Sequence, residues 1–238
     1  MREPFSPEPI NTLKSEHLDD GVRPIMACVG TAEEYGSEIS DFTELKRRAV
    51  DVDYYADSEK LASQNHWNAG ERTYIISGID NKPKFTEKLY DCTSVVAVGR
   101  DIESNQEISF LTHQDPYSFL RVTRLDFIGD LKKRLVEMKS VCQPSTVDIV
   151  IIGGRISDTD DYQKSINLLN TLVTDAFGFS PVVITGPKDN GSEDIYFDTE
   201  HRKLFVIRPV SLLSNNSYVA ENSETNVKRW KREIISEE

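Results

Sequence analysis

The 238-residue chain is poor in cysteine, histidine and positive charge, and each shortage removes a class of function. Its three cysteines, Cys28, Cys92 and Cys142, include no Cys-x-x-Cys pair, which excludes a disulfide framework and a cysteine-rich zinc site. Four histidines leave few ways to build a nucleophile–base pair. Lys and Arg total 28 against 40 Asp and Glu, a formal charge of −12, whereas a nucleic-acid partner needs a basic face. No apolar run approaches the roughly 20 residues that span a bilayer. The opening MREPFSPEPI has no apolar signal-peptide core. Internal repeats, low-complexity blocks and the Gly-rich phosphate fingerprints G-x-G-x-x-G and G-K-[ST] are missing too. The expectation is a soluble protein made in a reducing compartment, cytoplasmic or translocated into a host cell without a classical signal peptide.

What is present begins with an acidic quarter: residues 1–60 hold 14 acidic and 7 basic side chains. Pro4, Pro7 and Pro9 suit an extended arm, and Pro24–Gly30 reads as a short strand. Ser40-Asp41 offers an N-cap to a short helix with Phe42, Leu45 and Val50, and residues 51–71 read as irregular. From Arg72 the signals sharpen. Strands are expected at Thr73–Ser77, Thr93–Val98, Glu107–Thr112, Thr146–Ile152 and Pro181–Thr185. A helix with Leu125, Ile128, Leu131, Leu135 and Met138 precedes Thr146. A second helix, with Ile166, Leu168, Leu169, Leu172, Val173 and Phe177, is stopped by Gly178. A hairpin of Asp194–Phe197 against Lys203–Ile207 closes the core. Past Pro209 a surface segment leads to a terminal amphipathic helix on which Val227, Trp230 and Ile234 share a face. The predicted fold is one α/β domain, a mixed sheet packed by two helices. Residues 1–71 form an N-terminal extension, 72–209 the core, and 210–238 the surface segment and C-terminal helix.

The chemistry concentrates on one hairpin. A turn centred between Ile102 and Glu103 sets Cys92 directly opposite His113, with Cβ atoms about 4.5–5.5 Å apart. An imidazole at that distance favours the thiolate, the nucleophilic form of cysteine. A third group should accept from the other ring nitrogen and orient the base; Thr86, Asp91, Thr112 and Asp115 are all within reach in sequence. Other features have plainer explanations. Gly153-Gly154 reads as a strand-to-helix turn, and Asp158, Asp160 and Asp161 as acidic residues opening a helix. His66-Trp67 reads as a surface pair, Cys28 and Cys142 as buried apolar residues, and His17 and His201 as solvated. No metal or organic cofactor is called for.

The run Thr86-Glu87-Lys88-Leu89-Tyr90-Asp91-Cys92-Thr93-Ser94-Val95-Val96-Ala97-Val98, followed by a strand ending near His113, resembles the glutamine-deamidase superfamily. That group includes the chemoreceptor deamidases and the cytotoxic necrotizing factors. Its pattern is a Thr six residues before a Cys that opens a strand, then a His at the end of the next strand. IIGGRISDTDDYQKSINLLNTLV, FSPVVITGPKDNG and EDIYFDTEHRKLFVIRP extend the likeness over residues 72–209. The resemblance implies Cys92 as nucleophile, His113 as base and Thr86 as the group that orients it. The implied reaction is hydrolysis of a protein glutamine side chain to glutamate through a thioester, with a glutamine-bearing protein as partner. The same thioester would support transglutamination. The alternatives are another thiol hydrolase or a non-catalytic interaction module on the same fold; Asp91, where the family usually has a small residue just before the Cys, and the bulky Tyr90 before it favour the module.

Overall fold

A computed structural model describes residues 17–32, 34–35, 48–51, 74–114, 124–153, 160–184, 186 and 192–208. Among the described residues, ten strands and two long helices follow one another. The order is β1 (Met26–Gly30), β2 (Val50–Asp51), β3 (Tyr74–Ile76), β4 (Lys84–Leu89), β5 (Thr93–Arg100), β6 (Glu107–Gln114), α1 (Arg124–Val141), β7 (Asp148–Gly153), α2 (Asp160–Phe177), β8 (Val182–Ile184), β9 (Glu193–Asp198) and β10 (Lys203–Ile207). The arm at Pro4–Pro9, the Ser40-Asp41 cap, His66-Trp67 and the terminal helix at Val227–Ile234 lie outside the described residues.

The mixed α/β class is as expected, but the strands form two five-stranded mixed sheets rather than one. The first runs β1-β10-β9-β4-β2 and the second β3-β6-β5-β7-β8. Side-chain alternation sorts the core into layers. Val96, Val98, Leu111, Val150 and Ile152 of the second sheet meet Ala27, Ile195, Phe197, Leu204 and Val206 of the first in a shared apolar layer. The opposite face of the second sheet, with Val95, Ala97, Phe110, Ile149 and Ile151, is covered by Phe127, Leu131, Leu135 and Met138 of α1 and Ile166, Leu169 and Val173 of α2. The protein is thus layered as helices, sheet, sheet. Because β5 and β7 are buried on both faces, they read as unbroken apolar runs.

Several local expectations hold. β9 and β10 pair as an antiparallel hairpin with Lys203 opposite Asp198, and β7 and β8 flank α2 in parallel. Gly178, at φ 82°, ends α2 and donates its N–H to the Thr174 carbonyl. Met26–Gly30 pairs in parallel with β10, so this early strand is woven into the first sheet. β2 has no counterpart among the expected strands, Val50 being expected in a helix, and neither has β4, with which β2 pairs. The inter-sheet positions of β4 hold Lys84 and Thr86, both fully buried, so the strand lacks apolar alternation. Lys84 is accommodated there because its ammonium donates to Asp80 and to the Lys82 carbonyl.

Candidate active site

The site is assembled where the chain crosses from one sheet to the other. The β4–β9 pairing shifts between Thr86 and Leu89, and Lys88 takes a left-handed φ of 63°. This irregularity and the bend at Tyr90-Asp91 end β4 and start β5 in the second sheet. Cys92 lies at that junction, just before β5, and packs with Leu89, Val96 and Ile195 in the inter-sheet layer at 6% exposure. Tyr90 is 49% exposed, so its ring is turned toward solvent rather than filling the layer.

The β5–β6 register differs from the expected one. Thr93 pairs with Gln114 and Val96 with Leu111, which centres the connection between Glu103 and Ser104. The strand positions move by two, so Cys92 is not directly opposite His113. By continuity of the ladder, His113 stands across from Ser94, and Cys92 is two residues before Ser94. A two-residue slip keeps every side chain on its own face, whereas a one-residue slip would invert them. Cys92 and His113 therefore remain on the inter-sheet face as diagonal neighbours, a relation typically spanning about 7–8 Å between backbones and less between Cβ atoms. The connection is the turn Asp101–Gln106, which is stabilised by Asp101 accepting from the Ser104 N–H and hydroxyl.

Thr86 reaches the imidazole from the opposite sheet. Its Oγ1 lies 2.7 Å from Nδ1 of His113, and both residues are fully buried. A hydroxyl can accept from Nδ1–H, and that tautomer leaves Nε2 as the basic nitrogen. The other candidates for this place are set differently. Thr112 faces the helices, where its hydroxyl accepts from the Val95 N–H at 2.8 Å and donates to Gln114 Oε1 at 2.6 Å. Asp91 is half-buried in the bend before Cys92, and Asp115 lies outside the described residues.

Sequence reasoning missed the polar frame around these residues. Gln114 Nε2 donates to Thr93 Oγ1 at 2.9 Å, and Ser94 Oγ donates to the Thr112 carbonyl at 2.5 Å. The Thr112 hydroxyl thus stands in for a ladder carbonyl beside the site, and four buried polar side chains lock the ends of β5 and β6 together. At the same end of the first sheet lies an ion pair, Arg208 Nε to Glu193 Oε1 at 2.6 Å, with both side chains fully buried. Burial pushes the Glu193 carboxyl above its usual range, and the Arg208 charge and hydrogen bond oppose that. The β9–β10 register that sets Ile207 opposite Asp194 carries on to set residue 208 opposite 193, so the hairpin itself pairs these two side chains; their burial is what the local sequence does not mark.

The remaining candidates sit elsewhere. Cys142 is buried beside Met138, and burial pushes its thiol up to about 12. Cys28 lies in the aromatic cluster on the outer face of the first sheet. His17 is not solvated: its ring stacks on Phe179 at 3.5 Å and its Nε2 lies 3.1 Å from the Val147 carbonyl. His201 is exposed but paired with Asp198 at 2.8 Å. Gly153 ends β7 in the core, while Asp158 and the side chains of Asp160 and Asp161 lie outside the described residues. Among the described residues no cluster of His, Cys, Asp or Glu is arranged to hold a metal ion, and no helix is long and apolar enough to cross a membrane. Comparison with known proteins finds no family model and no curated protein that matches this chain.

Proposed function

We propose that the protein is a cysteine-dependent amidohydrolase that converts a protein glutamine side chain to glutamate. The observation carrying this reading is the buried 2.7 Å contact between Thr86 and His113. It joins two sheets on the face that also holds Cys92, and its spacing along the chain matches the pattern of the glutamine deamidases that the sequence resembles. A hydroxyl held against Nδ1 of an enclosed imidazole, with a thiol as diagonal neighbour, is the arrangement a thiol hydrolase needs.

In this mechanism His113 Nε2 takes the Cys92 proton and the thiolate attacks the carboxamide carbon. Backbone N–H groups at the start of β5 stabilise the oxyanion. The tetrahedral adduct collapses as His113 returns the proton to nitrogen, releasing ammonia and leaving a thioester. Water, deprotonated by His113, attacks the thioester and frees glutamate and the Cys92 thiol. Thr86 keeps the imidazole in one tautomer throughout. An amine in place of water would give transglutamination.

The test is peptide mapping of a library of glutamine-containing peptides and folded proteins after incubation with wild type or Cys92→Ala. A gain of about one dalton at a glutamine, without backbone cleavage and only with wild type, is expected. Equal conversion by Cys92→Ala, or cleavage of the backbone instead, overturns the reading.

A further inference from the structure

The Glu193–Arg208 pair is the one buried ion pair that the mechanism above does not use, among the described residues whose partners are both fully enclosed. Its place in the layers is specific. Ile195 and Phe197 of β9 face the inter-sheet layer, so Glu193, in phase with them, faces it too. Leu204 and Val206 of β10 face the same layer, and Arg208 continues their phase. Ile195 is the cross-strand partner of Thr86, and Glu193 is the partner of Leu89, three residues before Cys92. The carboxylate therefore lies two residues, ~7 Å, along the strand from the position opposite Thr86, toward the end where the chain turns to Cys92.

Such a pair is poor value as a stabiliser. Removing two charges from water costs several kcal/mol per ion, and apolar residues of similar volume commonly do as well or better. Glu193 Oε1 is held by Arg208, while Oε2 has no hydrogen-bond partner among the described residues and is shut off from solvent. A buried acceptor oxygen left open in this way is costly unless something that donates fills it. Thr86, His113 and Glu193 are fully enclosed, and of the four residues Cys92, at 6% exposure, is the one nearest solvent.

The geometry points to Glu193 as the residue that recognises the substrate as a primary amide, its Oε2 accepting an N–H from the carboxamide held at Cys92. This inference rests on the amidohydrolase reading. It adds that the hydrogen bond from Arg208 holds and aims the acceptor, and that the site rejects carboxylates. A carboxamide offers two N–H donors, whereas a carboxylate offers none and meets a like charge. The product glutamate is then expelled from the place its parent glutamine occupied. Glu193 takes no proton and forms no covalent bond in this role; it is a specificity determinant.

Two alkylating reagents that differ only in this respect provide the test: iodoacetamide carries the primary amide and iodoacetate the carboxylate. Rates at Cys92 are measured by peptide mapping at fixed pH, and their ratio is divided by the same ratio for a short cysteine peptide. The normalised ratio should favour iodoacetamide by about tenfold or more in the wild type, as one hydrogen bond to a charged acceptor warrants. It should fall to one or below in the isosteric Glu193→Gln, whose carbonyl stays on Arg208 and leaves a donor NH2 in place of Oε2, and to near one in the apolar double variant Glu193→Leu/Arg208→Met, with the double variant's melting temperature retained. If the double variant does not fold, Glu193→Gln alone decides. A normalised ratio in the wild type that is near one or favours iodoacetate, or a ratio unchanged in the variants, overturns the inference while leaving Cys92 as a nucleophile. A Cys92 that resists both reagents overturns the amidohydrolase reading, and the inference with it.

Discussion

Thr86→Val separates the hydroxyl from the packing. Valine has nearly the volume of threonine, so the contact between the two sheets is kept and only the oxygen 2.7 Å from His113 Nδ1 is removed. The imidazole stays fully buried, and Nδ1 then faces a methyl group instead of a hydroxyl. Losing the bond and stranding a buried polar nitrogen costs about 1–3 kcal/mol. A chain of this length loses about 2–4 °C per kcal/mol, so the melting temperature should fall by about 2–12 °C. If the same bond also orients the base during reaction, that energy appears as a rate loss of about 5- to 150-fold. The assay pairs a thermal melt with the second-order rate of iodoacetamide alkylation at Cys92. Thr86→Ser, which restores the hydroxyl and loses one methyl, should recover most of the rate but less of the melting temperature. A valine variant that melts with the wild type and alkylates at the wild-type rate would refute both roles. One that melts early but alkylates normally would reduce Thr86 to a tie between sheets.

Cys92→Ser should abolish glutamine deamidation and leave the melting temperature within a few degrees, since it exchanges one small buried atom. His113→Ala should cost more activity than Thr86→Val, because the base carries the proton and the hydroxyl only orients it; the reverse order in a peptide-deamidation assay would contradict the roles. Cys142, whose thiol is pushed up to about 12 by burial, should resist iodoacetamide at pH 8 until denaturant is added, and mass mapping of the labelled native protein reads this directly. Lys84→Met should be neutral or stabilising near pH 7, because the buried ammonium is costly and Asp80, left alone, is 37% exposed and can be rehydrated. Burial lowers the Lys84 pKa from 10.5, with Asp80 partly opposing it. The unfolded chain therefore holds this proton to higher pH than the folded chain, and stability should rise with pH through that alkaline window. Chemical melts from pH 7 to 10.5 should show Lys84→Met lacking that share of the pH dependence; parallel profiles would contradict it.

The residues that form elements by their own periodicity were legible in the chain. α1 and α2 follow from Leu131, Leu135 and Met138 and from Ile166, Leu169 and Val173, which recur at helical spacing and are buried together. β5, β7 and the β9–β10 hairpin follow from β-branched and aromatic runs that stay apolar because both faces are covered. Thr86, Cys92 and His113 stand at the spacing of a known pattern, and of these the structure sets Thr86 against His113. What sequence could not supply is which strands share a sheet. β4 puts Lys84 and Thr86 inward, so it lacks the alternation that marks a half-buried strand. The shift between Thr86 and Leu89 that sends the chain to the second sheet leaves no periodic trace. The β5–β6 register was misplaced by two because turn chemistry at Asp101–Gln106 set it, yet Cys92 and His113 kept their face because strand periodicity is two. Only tertiary structure brought Thr86 across the layer to His113 and enclosed Glu193 and Arg208, which the hairpin had already set opposite each other. Buried polar pairs of that kind are made by residues that look, along the chain, like ordinary surface positions; it is the packing of two sheets that encloses them.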